Sequence, residues 1–403
     1  MKEKKAVTKV LADRYRKSTK KGKGMILNEF VQITGHTRNY ASWLLRVFGT
    51  EKYVWINGER ARIIVGYTKK RKQTKRPRIY DDEVKKAVRK IWYMFDCICG
   101  KRLVTVLRTM VPILEKFGEI HLTPVTRDKI THISAATIDR LLQAEKKKFR
   151  IKGRSHTKPS SMLKSKIPIR TFGDWDEKTP GFVEIDLVGH DGGNTRGEFC
   201  FTLDVTDVST GWSEPIGIRN KAQKWTFEAL QEVKTHRLPF PLLGIDSDNG
   251  SEFINDQLYR YCGNNNIVFT RSRANRKNDN CFVEEKNNSI VRRNVGYQRY
   301  DTEEELAVLN EIYSILRLLV NFFYPSMKLV EKIREGSKVK KKYDRATTPY
   351  QRLLDANTLD EITRKKLALQ FNSLNPVELQ RSMNKLKQHL FSMARYELVE
   401  NVQ

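Results

Sequence analysis

A run of short apolar segments, separated by turns rich in Gly and Asn, most constrains the fold of this chain. Three such segments follow one another: GFVEIDLVGHD at 181–191, EFCFTLDVTDV at 198–208 and WSEPIGIRN at 212–220. Their lengths, their β-branched and aromatic residues and the short turns between them predict three consecutive strands. Consecutive strands joined by short turns favour an antiparallel meander.

Helices begin to alternate with strands after this meander. KWTFEALQEVKTH predicts a helix, LLGIDSD a buried strand, SEFINDQLYRYCGNN a helix and IVFTRS a further strand. TEEELAVLNEIYSILRLLVNFFYP then predicts a long amphipathic helix with an acidic first turn, which ends at Pro325. The sequence therefore predicts a central α/β region, built on a mixed sheet that helices cover.

The first part of the chain has helical patterns around a short turn at Thr34-Gly35-His36. This layout is that of a helix-turn-helix, whose second helix enters the major groove of DNA. The exposed side of that helix is predicted to offer three residues to DNA: Thr37, Arg38 and Asn39. Its inward side is predicted to carry four apolar residues: Tyr40, Trp43, Leu44 and Val47. A plain helical hairpin is the alternative.

A second set of helical patterns follows at 81–150. DDEVKKAVRKIWYMFD begins with acids, and KRLVTVLRTMVPILEKFG is kinked near Pro112 and ends at Gly118. A last helix begins at Ser134, which is a good N-cap. Thr137 and Arg140 lie off the apolar face of this helix, so it is predicted to be the recognition helix of a second helix-turn-helix.

Basic segments separate these regions. GYTKKRKQTKRPRIY is predicted to be an extended linker that follows phosphates or a minor groove, and a solvated tether is an equal alternative. Its predicted DNA contacts are Lys69, Lys70, Arg71, Lys72, Arg76 and Arg78. The predicted limits are 1–65 and 81–150 for all-α DNA-binding domains, 66–80 and 151–171 for linkers, 172–325 for the α/β core, 326–357 for a small basic β-rich segment and 358–403 for a helical tail that packs or self-associates.

The net charge of +29 is concentrated at one end of the chain. Residues 1–170 hold 43 of the 76 Lys and Arg residues and only 14 of the 47 Asp and Glu residues. The remaining residues are balanced, so the whole excess lies in the first 170. A partner with a dense negative charge explains such asymmetry better than a solvated surface does. Nucleic acid is the predicted partner, and an anionic membrane is the weaker alternative because we find no basic amphipathic helix with a broad aromatic face.

Other classes of protein are disfavoured. Five scattered cysteines, at 97, 99, 200, 262 and 281, form no disulfide framework and suit a reducing interior. We find no apolar run of about 18 residues and no apolar core near the N-terminus, so neither a membrane span nor a secretion signal is predicted. The expected location is the cytoplasm.

Three carboxylates occupy unusual positions. Asp186 lies in the middle of an apolar strand, where a charge is costly unless something pairs with it. Asp248 ends a buried strand, and Glu284 lies on a helix with Asn287 three residues later on the same face. A single buried aspartate is usually structural, but three in this order suit a site for two Mg²⁺ or Mn²⁺ ions, which act on phosphodiesters from about 4 Å apart.

These residues resemble the catalytic core of the DDE transposase and retroviral integrase superfamily. The matching segments are VEIDLV, DSDNGSEF and NDNCFVEEKN, with 35 residues between Asp248 and Glu284. NFFYPSMKL and TTPYQRLL also resemble bacterial insertion-sequence transposases of this type. The resemblance covers about 180–355. It implies an RNase H-like fold, with Asp186, Asp248 and Glu284 as catalytic metal ligands.

The resemblance also implies a function. Such an enzyme binds the terminal inverted repeats of a mobile element, cleaves to expose 3′-OH ends and joins them to target DNA, as a homo-oligomer. The His and Cys residues lack the spacing of the zinc module of retroviral integrases, so the helix-turn-helix units are expected to bind the ends. The alternatives are a DNA-binding regulator with an inactive core and a structure-specific nuclease.

The same motif predicts roles for the residues next to the three proposed metal ligands. Asp246 and Asn249 are predicted to support the metal ligands, as is Asn287. Glu285 lies about 100° round the helix from Glu284 and is predicted to point elsewhere. His190 is predicted to be an ordinary turn residue. Further phosphate contacts are predicted at Arg271, Arg273, Arg276, Lys277, Arg292 and Arg293.

Overall fold

A computed structural model of the chain describes residues 2–56, 58–66, 79–148, 179–248, 250, 252–272, 281–335 and 338–393. They belong to two compact units, Met1–Arg78 and Ile79–Gln403. Most of the predicted basic linkers, including every predicted DNA contact from Lys69 to Arg78, lies outside the described residues.

The described residues of the first unit form three helices and a hairpin. Its elements are α1 (Lys2–Lys17), α2 (Lys20–Thr34), α3 (Arg38–Val47), β1 (Glu51–Ile56) and β2 (Glu59–Ile64). Thr19 caps α2 with its side chain, and Gly35 ends that helix in the left-handed conformation at φ 70°. The turn between α2 and α3 therefore lies where the sequence predicts it. The antiparallel hairpin β1–β2 is not predicted by the sequence analysis.

The inward face of α3 differs from the predicted one. Tyr40 and Trp43 are 46% and 42% exposed and stack on each other at a ring distance of 5.8 Å. Ala41, Leu45 and Phe48 are the buried residues, in one cluster with residues of α1 and α2. The prediction placed Tyr40 and Trp43 inward, whereas the residues that α3 turns to the core are Ala41 and Leu45, which are four positions apart and so share one face of the helix.

The second unit begins with a group of six short helices. They are α4 (Asp82–Met94), α5 (Gly100–Thr109), α6 (Val111–Lys116), α7 (Pro124–His132), α8 (Ala135–Leu141) and α9 (Gln143–Lys148). Pro112 lies in the first turn of α6, where a missing N–H costs nothing, and so separates α5 from α6. Ser134 caps α8 by accepting the N–H of Thr137, as predicted.

The predicted mixed sheet is confirmed. Within the described residues it has five strands in the order β5-β4-β3-β6-β7. They are β3 (Phe182–Gly189), β4 (Phe201–Asp207), β5 (Ser213–Ile218), β6 (Gly244–Ser247) and β7 (Val268–Arg271). The first three form the expected antiparallel meander, while β6 runs parallel to both β3 and β7.

The two faces of the sheet differ in chemistry because side chains alternate along each strand. Val183, Ile185, Leu203 and Val205 point to one face, in a core shared with α10 (Gln223–Glu232) and α11 (Asp256–Asn264). The residues between them are polar or acidic and point to the opposite face. Helix α12 (Cys281–Lys286) contacts β3 and β4 on this acidic face.

The remaining helices complete the second unit. Helix α12 continues through a π-helical segment, Asn287–Arg292, into α13 (Arg293–Val295). The last elements are α14 (Glu303–Leu318) with a π-helical end at Leu319–Phe323, the basic hairpin of β8 (Leu329–Glu335) and β9 (Lys338–Tyr343), α15 (Pro349–Asp355), α16 (Glu361–Ser373) and α17 (Pro376–Met393).

Glu303–Phe323 has the length and the composition of a membrane-spanning helix. In the structure its apolar residues pack inside the protein: Leu309, Ile312 and Leu316 are fully buried. It contacts β5 and α17, so the predicted tail helix α17 is a packing element. The apolar composition of this segment is explained by its central place in the core.

One continuous core joins the front helices to the sheet region. It includes Trp92 of α4, Leu103 of α5 and Ile138 of α8, together with Leu316 of α14 and Met383 of α17. The helices predicted to form a second DNA-binding domain therefore pack in the same compact unit as the sheet. Their assignment as a helix-turn-helix stays a prediction, as do the finer domain limits.

Helices α5 and α8 approach closely at Gly100. A Cβ atom there would lie 2.6 Å from Oδ1 of Asp139 and 2.7 Å from the carbonyl oxygen of Ala135. We therefore expect Gly100→Ala to force the two helices apart and to lower the free energy of unfolding by about 1–3 kcal/mol. Urea denaturation of the full chain, followed by tryptophan fluorescence, measures the change.

The matched control is Gly263→Ala in α11, where an added Cβ meets nothing within 4 Å. It exchanges Gly for Ala in a helix of the same unit and is expected to leave the stability unchanged or to raise it by up to about 1 kcal/mol. Equal effects of the two substitutions would contradict the close approach at Gly100.

Candidate active site

Three aspartates stand side by side on the acidic face of the sheet. Asp186 in β3 is the register partner of Asp204 in β4. On the other side, Ile185 pairs with Ser247, so Asp248 follows β6 level with Asp186. Because residues paired across strands point to the same face, the three carboxylates form one row across three strands. The predicted pair Asp186 and Asp248 is thus brought together, and Asp204 is an addition.

Hydrogen bonds fix the orientation of the central carboxylate. Asn287 donates its Nδ2–H to Oδ2 of Asp186 at 2.6 Å. The backbone N–H of Leu187 donates to Oδ1 of Asp186 at 2.8 Å. Asn287 was predicted to lie over the site because it follows Glu284 by three residues. Its contact brings the helix that carries Glu284 against Asp186.

Asp248 is oriented by the loop that follows β6. The backbone N–H of Gly250 donates to Oδ1 of Asp248 at 2.8 Å. Asn249, which was predicted to support the site, lies outside the described residues. The carboxylate of Asp248 is therefore held by the main chain of the DNG turn, one residue beyond the strand.

A second row of polar residues lies on the same face of the sheet, two positions earlier along β3 and β6. Glu184 is the register partner of Thr206 on one side and of Asp246 on the other, and Asp246 is paired with Thr270. The hydroxyl of Thr270 donates to Asp246, and the supporting role of that acid stays a prediction. Glu184 and Asp246 are both fully buried.

Glu184 reaches from the sheet to the beginning of α12. Its Oε2 accepts the backbone N–H of Val283 at 2.9 Å. The first N–H groups of a helix have no partner inside the helix, and a carboxylate near them is favourable. Glu184 therefore holds the first turn of α12, one residue before Glu284. The role of Glu184 cannot be predicted from the sequence, because only the sheet register shows which acid faces that helix.

Burial raises the pKa values of all three carboxyl groups in the row. Desolvation, with the negative charge of Asp248 next in size, raises the pKa of Asp186 to about 8. Burial raises the pKa of Asp204 to about 7, against the opposite effect of the ammonium group of Lys286. Burial also raises the pKa of Asp248. The three carboxyl groups are therefore more stable when they are protonated or bound to a cation than when they are ionised and unpaired.

A lysine of α12 lies near one end of this row. Lys286 of α12 is 8% exposed, and burial lowers the pKa of its ammonium group. Its charge acts on Asp204 at one end of the row. Lys286 and Asp204 were not singled out from the sequence, since a lysine two residues after Glu284 gives no signal of burial.

The neighbour of Glu284 points away from the row. Glu285 is 52% exposed at its side chain and forms an ion pair with Arg102 of α5 at 3.3 Å. The backbone of Glu284 lies in α12, and its side chain is outside what the structure describes. Among the side chains that are described, no group of three or more His, Cys, Asp or Glu is arranged to hold a metal ion.

The residues present nevertheless fit a divalent cation. Oδ2 of Asp204 and Oδ1 of Asn287 are buried and accept no hydrogen bond from the described residues. Together with Asp186 and Asp248 they are hard oxygen donors, which Mg²⁺ and Mn²⁺ prefer. A cation beside Asp186 would also relieve the repulsion that raises its pKa.

The predicted DNA contacts of the second unit are mostly engaged within the protein. Arg292 donates to the carbonyl oxygen of Gly189 at 2.7 Å, and Arg293 forms an ion pair with Asp96 at 2.7 Å. Arg271 is buried at the end of β7, so it offers little surface to phosphates. Arg273, Arg276 and Lys277 lie outside the described residues.

The DNA contacts predicted on helices α3 and α8 are more exposed to solvent than those of the second unit just described. Thr37, Arg38 and Asn39 are exposed at the beginning of α3, and Arg38 donates to Asn28. On α8, Arg140 is exposed and donates to the hydroxyl of Thr137 at 3.0 Å. These residues remain predicted DNA contacts.

His190 is not an exposed turn residue. It is fully buried, and its Nε2 lies 2.7 Å from the hydroxyl of Thr202, which in turn lies 2.6 Å from the hydroxyl of Tyr313. Burial lowers the pKa of its imidazole to about 3. It is therefore a neutral structural residue between β3, β4 and α14, because the strand continues almost to position 190.

The chain is similar to one curated protein and to several solved structures. It is 38% identical over 346 residues to the uncharacterized protein y4rM of Sinorhizobium fredii (strain NBRC 101917 / NGR234), which covers 86% of this chain and 93% of that protein. No family model matches the chain.

Two of the similar structures are catalytic core domains. The core domain of BIV integrase aligns with 44% of this chain and 95% of that chain, at 14% identity and a TM-score of 0.29. The core domain of HTLV-2 integrase in complex with magnesium aligns with 36% of this chain and 90% of that chain, at 15% identity and a TM-score of 0.27. These scores are too low to assign a fold or a function.

Removing the Glu184 carboxylate is expected to loosen the beginning of α12. Glu184→Ala leaves the buried N–H of Val283 without its acceptor, which costs about 1–3 kcal/mol. We expect faster hydrogen exchange of the amides of 281–286, measured by mass spectrometry. Glu184→Gln keeps an acceptor oxygen and is expected to restore the protection.

Asp207→Asn is the control for general destabilisation. Asp207 is equally buried but binds the backbone N–H groups of Gly181 and Thr210, away from α12. It is expected to lower the overall stability without selective exchange at 281–286. If Glu184→Ala behaved in the same way, the contact with Val283 would not hold the helix.

The raised pKa of Asp186 predicts the pH dependence of stability in metal-free buffer. Between the ordinary value of 3.8 and about 8, folded Asp186 keeps a proton that the unfolded chain releases. The free energy of unfolding must therefore fall as the pH rises through this range. We expect urea denaturation with a chelator to show a shallower decline between pH 5 and pH 8 for Asp186→Asn. Parallel profiles for both proteins would contradict the raised pKa.

Proposed function

The chain belongs to the same family as the uncharacterized protein y4rM, and we propose that it is a DDE-type DNA transposase. Asp186, Asp248 and Glu284 are its proposed catalytic metal ligands. It would bind the terminal inverted repeats of a mobile element, cleave the DNA to expose 3′-OH ends and transfer these ends into target DNA. Binding of two ends implies a homo-oligomer, acting on the nucleoid in the cytoplasm.

The observation that carries this proposal is the meeting of three motif segments at one point. Asp186 and Asp248 lie level on neighbouring strands, and Asn287 donates to Asp186 at 2.6 Å from the helix that bears Glu284. Asp186, Asp248 and the helix that carries Glu284 thus come together from segments that are distant in the sequence.

Asp186, Asp248 and Glu284 would hold two Mg²⁺ or Mn²⁺ ions. Such ions, when bound, lower the pKa of an attacking water or 3′-hydroxyl and stabilise the leaving oxygen of a phosphodiester. Asn287 and the N–H of Leu187 orient the carboxylate of Asp186, and the N–H of Gly250 orients that of Asp248. Glu184 fixes the turn of α12 that precedes Glu284.

The chemistry then needs no covalent enzyme–DNA intermediate. In the first step the oxygen of a water molecule attacks phosphorus, and the P–O bond to the 3′ oxygen of the element end breaks to give a 3′-OH. In the second step that 3′ oxygen attacks a phosphorus of target DNA and displaces another 3′ oxygen. The basic first unit supplies charge to hold the DNA.

The test compares two adjacent glutamates. Glu284→Gln is expected to reduce 3′-end cleavage and strand transfer by at least about 100-fold, since a metal ligand is lost. Glu285→Gln removes only an exposed ion pair with Arg102 and is expected to keep nearly full activity. The substrates are duplexes from the flanks of the encoding gene, with Mg²⁺ or Mn²⁺, and products are resolved on sequencing gels.

Binding of the same duplexes is measured in parallel by footprinting, and both variants are expected to protect inverted repeats as the wild type does. Protection without any cleavage by the wild type would favour the DNA-binding regulator. Cleavage of branched DNA, without protected repeats and without strand transfer, would favour the structure-specific nuclease. Full activity of Glu284→Gln would remove the proposed catalytic set.

A further inference from the structure

The hairpin β1–β2 of the first unit has one face that is open to solvent. Register pairs Tyr53 with Arg62 and Trp55 with Arg60, so these four side chains share a face. Tyr53 is 60% exposed and Trp55 75% exposed, and both arginines are exposed. We call these four residues the aromatic–arginine face. Two large rings on one small surface are unusual, because aromatic residues normally bury most of their area.

The opposite face of the hairpin is the one that packs. Val54, Ala61 and Ile63 alternate with the aromatic–arginine face and are partly buried. A hairpin with one buried side has a fixed register, since a slip by one residue would expose those apolar side chains. The exposure of Tyr53 and Trp55 is therefore built into the pairing of the strands.

The hairpin is also fixed to the end of α3. The N–H of Gly49 donates to the carbonyl oxygen of Val65 at 2.8 Å, and the N–H of Val65 donates to that of Thr50 at 3.0 Å. Gly66 lies so close to the ring of Phe48 that a Cβ atom would come within 2.2 Å of it. The face is thus presented at a defined position beside α3 rather than on a loose loop.

Arginine and aromatic groups already interact within the face. The guanidinium group of Arg60 lies 4.8 Å from the centre of the Tyr53 ring, and Arg62 forms an ion pair with Glu51. Exposed rings beside guanidinium groups bind unpaired nucleobases by stacking, while the cations bind the phosphates of the same strand. The surrounding charge agrees, because residues 1–78 hold 22 Lys and Arg residues and 5 Asp and Glu residues.

We propose that the aromatic–arginine face binds a stretch of unpaired, single-stranded DNA. An intact duplex hides the faces of its bases, so it would use the arginines but leave Tyr53 and Trp55 without a role. A second copy of the chain is disfavoured, because a symmetric contact would bring the arginines of both copies together. The proposal does not depend on the metal site and can fail independently of the proposed transposase activity.

The experiment measures binding by the full-length protein with a chelator present to prevent cleavage. The probes are a labelled 20-nucleotide oligothymidine and a labelled 20-base-pair duplex of arbitrary sequence, followed by fluorescence anisotropy. Trp55→Ala is expected to weaken binding of the single strand by about 5- to 100-fold, the effect of losing one stacked base. Its binding of the duplex is expected to stay within about twofold of the wild type.

The salt dependence of DNA binding distinguishes the contribution of the aromatic rings from that of the arginines. Trp55→Ala removes no charge, so the slope of log affinity against log salt concentration should not change. Arg60→Gln removes one phosphate contact and should reduce that slope for the single strand by about 0.7. Trp55→Phe keeps a stacking ring and should recover most of the affinity, which also controls for misfolding.

Tyr259→Ala is the matched control outside the hairpin. Tyr259 lies on α11, is 44% exposed and is followed by Arg260. It should leave single-strand binding unchanged. Equal losses for single strand and duplex in Trp55→Ala, or no loss for either, would overturn the proposal. A smaller assembly of Trp55→Ala than of the wild type in sedimentation would assign the face to self-association and overturn it as well.

Discussion

In the second unit, several carboxylates lie on one buried face of the sheet, and the electrostatic cost of this arrangement determines which groups must surround them. Asp204, Asp186 and Asp248 lie in one row on neighbouring strands, with Glu184 and Asp246 directly behind them. Like charges at such separations are strongly unfavourable in a region of low dielectric constant. The surroundings offset this by donors from Asn287 and main-chain N–H groups, and by the ammonium group of Lys286. The repulsion that remains is what a divalent cation would relieve.

The helix that runs from α12 to α13 is the element that this arrangement needs most. It brings Asn287 and Lys286 to the acidic row, and Glu184 holds its first turn. Its outer side is held by the front helices, through Arg102 with Glu285 and Arg293 with Asp96. The front helices and this helix also pack in one core, which includes Leu103 of α5 and Ile290.

The sequence predicted the elements that depend on local patterns and missed those that depend on register. The meander, the buried strand before Asp248 and the cap at Ser134 follow from alternation, turns and capping residues. Asp204, Glu184 and Lys286 could not be assigned, because their roles arise from which residues stand opposite each other across strands and against α12. Tyr40 and Trp43 were placed inward on hydrophobicity alone, whereas packing of α3 selected Ala41 and Leu45. The arginines at 292 and 293 stay predicted phosphate contacts, and in the structure nearby carbonyl and carboxylate groups bind them.

Anomalous diffraction from crystals of the full chain soaked in Mn²⁺ would show whether the acidic row holds a metal ion. A manganese peak is expected within about 2.1 Å of carboxylate oxygens of both Asp186 and Asp248. The side chain of Glu284 is expected to take part in holding an ion at this site. Saturating Mn²⁺ without a peak beside the row, or with a peak that contacts neither Asp186 nor Asp248, would show that these carboxylates do not form a metal site.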